Sequence, residues 1–133
     1  MSSSPIEIAR ALHAALEAGA HGEALKPYLT DDVRTIEHPN LIKPRGGTAG
    51  LEQMLAASSA GAGLLARQTY AVRSAIEVGS TAILRLTWTG VIARAVGPFH
   101  EGQALIAHIA QFIETRDGRV ASIETFDCYE PFA

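Results

Sequence analysis

The feature that most limits what this chain can fold into is its second half. From Gln68 to Cys128 the sequence is a succession of long stretches rich in β-branched and aromatic residues. Gln68 to Val78 and Ser80 to Ala95 are joined at Gly79-Ser80, and a loop carrying Gly97-Pro98 leads to a third stretch, Gln103 to Thr115. Asp117-Gly118 is the strongest hairpin signal present, and the final stretch runs from Arg119 to Cys128. Strands of this length joined by short turns predict a mainly antiparallel sheet. In Leu105-Ile106-Ala107-His108-Ile109-Ala110-Gln111-Phe112-Ile113 neither alternation phase is polar throughout, so both faces of the sheet need cover.

The first half supplies that cover on one side. Ser4-Pro5-Ile6-Glu7 has the form of a capping box with proline at the first helical position, and Ile8, Leu12, Ala15 and Leu16 follow at helical spacing up to Gly19. A shorter helix is predicted over Gly22 to Tyr28, then a strand over Val33 to His38 stopped by Pro39. Pro39 to Gly47 reads as a loop and Ala49 to Ser59 as a third helix. The order ααβαβββ, helices first and long strands after, predicts an α+β fold with helices against one sheet face. No linker or repeat interrupts it, so residues 1–133 are read as a single domain. The uncovered face is expected to pack in a homodimer.

Composition narrows the function classes. The net charge is −3, with lysine and arginine scattered, which gives no footprint for nucleic acid. Cys128 is the single cysteine, so neither an intrachain disulfide nor a CxxC metal motif can form. Met1-Ser2-Ser3-Ser4-Pro5 lacks the basic start and apolar core of a signal peptide, and no apolar run approaches the ~18–20 residues that span a bilayer. A cytoplasmic location with no membrane partner is the expectation. There is no Gly-rich phosphate motif, and no cofactor is implied.

The chain resembles the nuclear-transport-factor-2-like superfamily and, within it, the SnoaL-like proteins. The resemblance rests on Ala14-Ala15-Leu16-Glu17-Ala18-Gly19, Tyr28-Leu29-Thr30-Asp31-Asp32-Val33, Glu37-His38-Pro39, Trp88-Thr89-Gly90, and Asp117-Gly118-Arg119-Val120 leading to Phe126-Asp127. It implies a cystatin-like cone, with a pocket between the concave sheet face and the helices. It also implies which side chains face that pocket: Ile123, Thr125 and Asp127 on the final strand, Ile106, His108, Ala110 and Phe112 on the one before, and Leu84, Leu86 and Trp88 on the tryptophan strand. Ketosteroid isomerases keep a catalytic aspartate where this chain has His38. Leu12 and Ala110 stand where those enzymes carry oxyanion donors, so their mechanism is not expected. Asp127 is similar in position to the acid–base aspartate of SnoaL-type polyketide cyclases, whereas the Asp-Arg-Asp arrangement of limonene epoxide hydrolases does not assemble around it.

Three residues become candidates for catalysis. His38, beside Glu37 at a strand end, has an imidazole suited to moving a proton, or is an ordinary polar strand terminus. His108 lies in an apolar strand and needs a partner if buried, as a satisfied core histidine or as part of a site. Asp127 is a candidate base or orienter of a histidine, against a salt bridge or strand-end turn. Ile36, Leu86, Trp88, Ile106, Phe112 and Thr125 are the candidate ligand contacts. Tyr70, Tyr129 and Phe132 are read as closing the pocket or packing in the dimer, Arg34 as a surface residue or an anion holder, Glu124 and Glu130 as on the solvent or interface side, and His13, His21 and His100 as exposed. A metal triad of the two histidines and Asp127 has no supporting spacing. The expectation is a small cofactor-free isomerase, cyclase or lyase acting on an apolar carbonyl compound. The alternatives are a non-catalytic module that binds a small apolar molecule, and a dimerisation module.

Overall fold

The structure, a computed structural model, describes residues 3–132. Met1 and Ser2, part of the N-terminal stretch read above, and Ala133 lie outside the described residues. Helix α1 (Pro5–Glu17) begins as its sequence predicts: Ser4 Oγ accepts from the Glu7 amide at 3.2 Å, and Glu7 Oε1 accepts from the Ser4 amide at 2.9 Å. Both exchanges satisfy amides that a helix start leaves orphaned. A 3-10 turn over Gly22–Tyr28 follows, and then strand β1 (Leu29–Glu37). Within the expected Pro39–Gly47 loop the chain doubles back, and its end forms a short strand, β2 (Gly47–Ala49), paired antiparallel with the end of β1. Asn40 shapes that reversal, its Oδ1 accepting from the Ile42 and Lys43 amides at 2.9 Å each. Helix α2 (Leu51–Ala60) and strands β3 (Leu65–Val78), β4 (Thr81–Ile92), β5 (Ala104–Arg116) and β6 (Arg119–Tyr129) complete the chain.

The sheet order is β2-β1-β6-β5-β4-β3, with β1 parallel to β6 and the other pairs antiparallel. Helix α1 lies across β3 to β6, and α2 packs on β1 and the 3-10 turn, so the helices cover one face of the sheet. Between them sits the core, with Ala9 and Leu12 from α1, Val33 from β1, Leu84 and Leu86 from β4, and Ile113 from β5. This is the expected α+β arrangement of helices on a curved, unclosed sheet. No helix among the described residues is long and apolar enough to cross a membrane.

Strand pairing assigns each side chain to a face. On the helix-covered face, Tyr70, Trp88, Ala107 and Tyr129 form one row across the sheet; Val72, Leu86, Ile109 and Asp127 form the next. Leu84, Gln111, Thr125 and Glu37 form a third. The expected inward sets on β4 and β6 therefore hold, while that on β5 is inverted. Ile106, His108, Ala110 and Phe112 point to the outer face, and Leu105, Ala107, Ile109, Gln111 and Ile113 point inward.

The cause is a single irregularity. At the hairpin Arg116 faces Arg119 and Thr115 faces Val120, but Glu114 faces Ser122, so Ala121 is an extra residue on β6. Without that bulge, the turn would have set Asp127 opposite His108. With it, Asp127 lies opposite Ile109, and His108 opposite Cys128.

Candidate functional site

The inward face gathers most of its polar groups on one line. Asp127, on β6, is half-buried and accepts a hydrogen bond from Thr125 Oγ1 at 2.5 Å. Thr125 itself is buried, and Gln111 Nε2 reaches its Oγ1 at 3.5 Å. The amide oxygen of Gln111 accepts from His13 Nε2 at 3.0 Å. The line thus runs from α1 across β5 to β6, each donor pointing toward the carboxylate. Glu37, the cross-strand neighbour of Thr125, stands on the same face.

This environment moves protons in definite directions. Burial raises the Asp127 carboxyl above its ordinary value; the Thr125 hydrogen bond opposes this and the Glu37 charge adds to it. Burial also raises both inward tyrosines, Tyr129 to about 12, with the Asp127 charge acting in the same sense. Both phenols are therefore neutral hydrogen-bond donors at neutral pH. His13 is lowered, chiefly by burial, with the Gln111 hydrogen bond opposing. Its ring stacks on Tyr70 at 4.6 Å and 3°. With Nε2–H donating, Nδ1 is the bare nitrogen, and it has no partner among the described residues.

A cavity of about 480 Å³ lies around Trp88 and Tyr129, and none of the four residues of this line is among its lining residues. Trp88, Ile92, Phe99, Leu105, Tyr129 and Leu64 are among the residues that wall it. Trp88 is fixed by donation from Nε1 to Gln68 Oε1 at 2.9 Å, and Gln68 in turn donates to the Leu16 carbonyl. The indole lies over Gly90, where an added Cβ would stand 2.4 Å from Cη2. Only glycine lets the ring lie down there. Tyr129 meets Trp88 edge to face at 6.3 Å, and Asp127 lies two residues away on β6, roughly 7 Å along the strand.

The structure does not bring the three catalytic candidates together. His38 is on the outer face, stacked on Phe126 at 4.1 Å, with Nε2 at 2.7 Å from Glu124 Oε2. His108 is exposed on that face too, 2.8 Å from Glu130 Oε2. Asp127 alone points inward, so neither a histidine–aspartate pair nor the metal triad assembles from them. Of the six expected ligand contacts, Leu86, Trp88 and Thr125 face inward; Ile36, Ile106 and Phe112 face outward. Ile36 is 42% exposed and Phe112 38% exposed. The outer face also has a groove of about 420 Å³, bordered by Arg73, Arg85, His108, Phe126 and Cys128.

His13 was read as exposed and is 5% exposed. The available signal was its place four residues after Ala9 and three before Leu16, on the buried stripe of α1. Gln111 and Glu37 went unassigned as well. They face inward, since His108 and His38, an odd number of residues away on the same strands, face outward.

The fold, helices on one face of a curved and unclosed sheet, defines a class, the small α+β cones. The SnoaL-like domain family matches residues 9–123, and the chain belongs to that family. No curated protein matches it in sequence. Among solved structures it is similar to IdmH, a candidate polyketide cyclase from Streptomyces antibioticus, with a TM-score of 0.75, 18% identity, and coverage of 94% of this chain and 92% of that one. It is also similar to a cystatin-fold protein from Novosphingobium aromaticivorans, with a TM-score of 0.72, 20% identity, and coverage of 94% and 99% respectively. A third, from Catenulispora acidiphila, has a ketosteroid isomerase-like fold and was solved with trimethylamine; its TM-score is 0.67, its identity 22%, and coverage 93% and 86%. At these identities the likeness is one of fold.

Proposed function

We propose that this protein is a cofactor-free enzyme of the cyclase or isomerase kind, in which Asp127 moves a proton on a small apolar carbonyl compound. The observation that carries this reading is Asp127 itself, a half-buried carboxylate with a raised pKa, two residues along β6 from Tyr129, which walls an apolar cavity of about 480 Å³. The Thr125 hydroxyl occupies Oδ1, leaving Oδ2 for a substrate C–H. The proton passes from carbon to Asp127 while its electron pair moves to the carbonyl oxygen. The neutral Tyr129 phenol is the donor placed to stabilise that developing charge. His38 and His108 take no part, because they lie across the sheet from Asp127.

Solvent-deuterium incorporation α to the carbonyl, followed by NMR over a panel of small cyclic ketones, tests the proposal. Exchange by the wild-type protein that falls at least 100-fold in Asp127→Asn, and persists in His38→Ala and His108→Ala, is expected. Equal exchange by Asp127→Asn sinks it.

The second reading is a binding module without chemistry. It is favoured by the cavity wall, where Tyr129 is the one side chain with a hydroxyl among aliphatic and aromatic neighbours. A homodimer through the outer sheet face accompanies either reading, since Ile36, Phe112 and Phe126 are exposed there. A cytoplasmic location remains part of the proposal.

A further inference from the structure

We propose that His13 and Gln111 are positioning residues for Asp127 and act on it through Thr125. The imidazole N–H on α1 turns the Gln111 amide, and the amide aims the Thr125 hydroxyl at the carboxylate. Their catalytic meaning rests on the reading of Asp127 as the group that moves a proton.

Each member of the line has one way to face. Gln111 Oε1 can only accept, so the proton between it and His13 Nε2, 3.0 Å away, belongs to the imidazole. With the oxygen held there, the Gln111 amide nitrogen is turned to Thr125 Oγ1 at 3.5 Å. A threonine hydroxyl has a single proton to donate. Thr125 accepts from Gln111 and sends that proton to Asp127 Oδ1, 2.5 Å away. Were the amide turned over, Oε1 would face the hydroxyl and compete with Asp127 for the same proton. His13 prevents this from another element, with its ring stacked on Tyr70 and only 5% exposed. The Ala121 bulge is what sets Gln111 directly across from Thr125. Polar residues that merely satisfied one another could stop at Thr125. This line goes on to a carboxylate whose Oδ2 has no hydrogen-bond partner among the described residues.

The other groups around Asp127 leave that hydroxyl in control. Burial raises the Asp127 carboxyl, the Thr125 hydrogen bond lowers it, and the Glu37 charge on β1 raises it further. The Tyr70 and Tyr129 phenols, on β3 and β6, are neutral. The inward side chains of β4 and β5 are not ionisable. On α1, Glu17 and Arg10 act on His13 in opposite senses, and on the 3-10 turn Glu23 and Lys26 pair with each other in solvent. The Thr125 hydroxyl is thus the one neighbour that favours the charged carboxylate, and whatever aims it governs Asp127.

The titration midpoint of Asp127, followed by carbon NMR of aspartate-labelled protein and assigned with Asp127→Asn, reads the line without any substrate. Thr125→Val keeps the shape and is expected to raise the midpoint by about one pH unit. His13→Phe does not touch Asp127, yet it is expected to raise the midpoint by about half as much, because the freed amide competes for the hydroxyl. His13→Leu, which also removes the donor, is expected to act in the same direction. Gln111→Met removes the competing amide as well and is expected to move the midpoint less than His13→Phe does. In the Thr125→Val background His13→Phe is expected to change nothing. Circular dichroism checks that each variant is folded. An unmoved midpoint in both His13 variants overturns the proposal. So does an equal shift with and without the Thr125 hydroxyl, which is what the His13 charge acting through space would give. In ketone exchange, the pH of half-maximal rate is expected to follow the midpoint from variant to variant, and a rate that ignores it takes His13 and Gln111 out of the reaction. Exchange absent from the wild type removes the proposed chemistry, while the NMR shifts still decide whether His13 governs Asp127.

Discussion

His13 is neutral in the folded protein because α1 presses its ring against Tyr70 and the sheet, where an imidazolium would lose its water and find one amide oxygen in return. Its folded pKa lies below the unfolded value of 6.5, so the folded state binds fewer protons. The stability tied to this neutral state is present above pH 6.5 and is lost as the pH falls through the folded value. His13→Phe keeps the stack on Tyr70 and removes the titration. The variant is expected to be less stable at pH 7.5, by ~1–3 kcal/mol, because Gln111 loses its donor. Its urea midpoint is then expected to fall less than that of the wild type between pH 7 and pH 5. Parallel slopes for the two proteins would contradict this account. This residue was legible in position, on the apolar stripe of the first helix, but not in partner. Nothing in the sequence shows that Gln111, 98 residues away, would meet it.

At the scale of the element, the helices, the strands and their order follow from caps, turn residues and β-branched runs, all local features. Which face each strand presents is set between strands. β4 and β6 were assignable through the resemblance, whereas β5 is apolar on both faces, so its own alternation carries no sign. Its orientation depends on the Ala121 bulge, an irregularity without glycine or proline to mark it. The sequence Trp88-Thr89-Gly90 is the opposite case, a local pattern with one structural reason. In Gly90→Ala the new Cβ would stand 2.4 Å from Trp88 Cη2 and 3.2 Å from Leu65 Cδ2, and Gln68 holds the indole in place. Overpacking of this kind costs ~1–3 kcal/mol. We expect a Tm lowered by several degrees, together with a red-shifted Trp88 emission as the ring lifts toward solvent. Restoring room with Trp88→Phe in the Gly90→Ala background should recover part of the lost stability. An unchanged emission maximum in the single variant would show that the ring does not depend on this glycine.

At the scale of the molecule, the two faces of the sheet divide the labour that the sequence left undivided. The inner face holds the core, the line of polar groups and the cavity. The outer face carries Ile36, Phe112 and Phe126 exposed at its centre, so a homodimer is the arrangement that would cover it. The proposed homodimer would also pair charges across this face. Arg73 and Arg85 lie toward β3 and β4, where they donate to Thr87 and Ser74 and have no carboxylate partner among the described residues. Glu114 and Glu124 lie on β5 and β6, with Arg34 beyond them on β1. A two-fold axis parallel to the strands lays the arginine half of one copy over the glutamate half of its partner, with the phenylalanines meeting near the axis. Phe126 also stacks on His38, so a charge at this position removes apolar area and sets a carboxylate against Glu124 in both copies. Phe126→Asp is therefore expected to run at the mass of one chain in size-exclusion chromatography with light scattering, where the wild type runs at two. Leu41→Asp, an equally drastic change at a residue 58% exposed in the loop after β1, is expected to remain dimeric. A monomeric wild type, or a Phe126→Asp variant that still elutes at two chains, would place the cover of this face elsewhere.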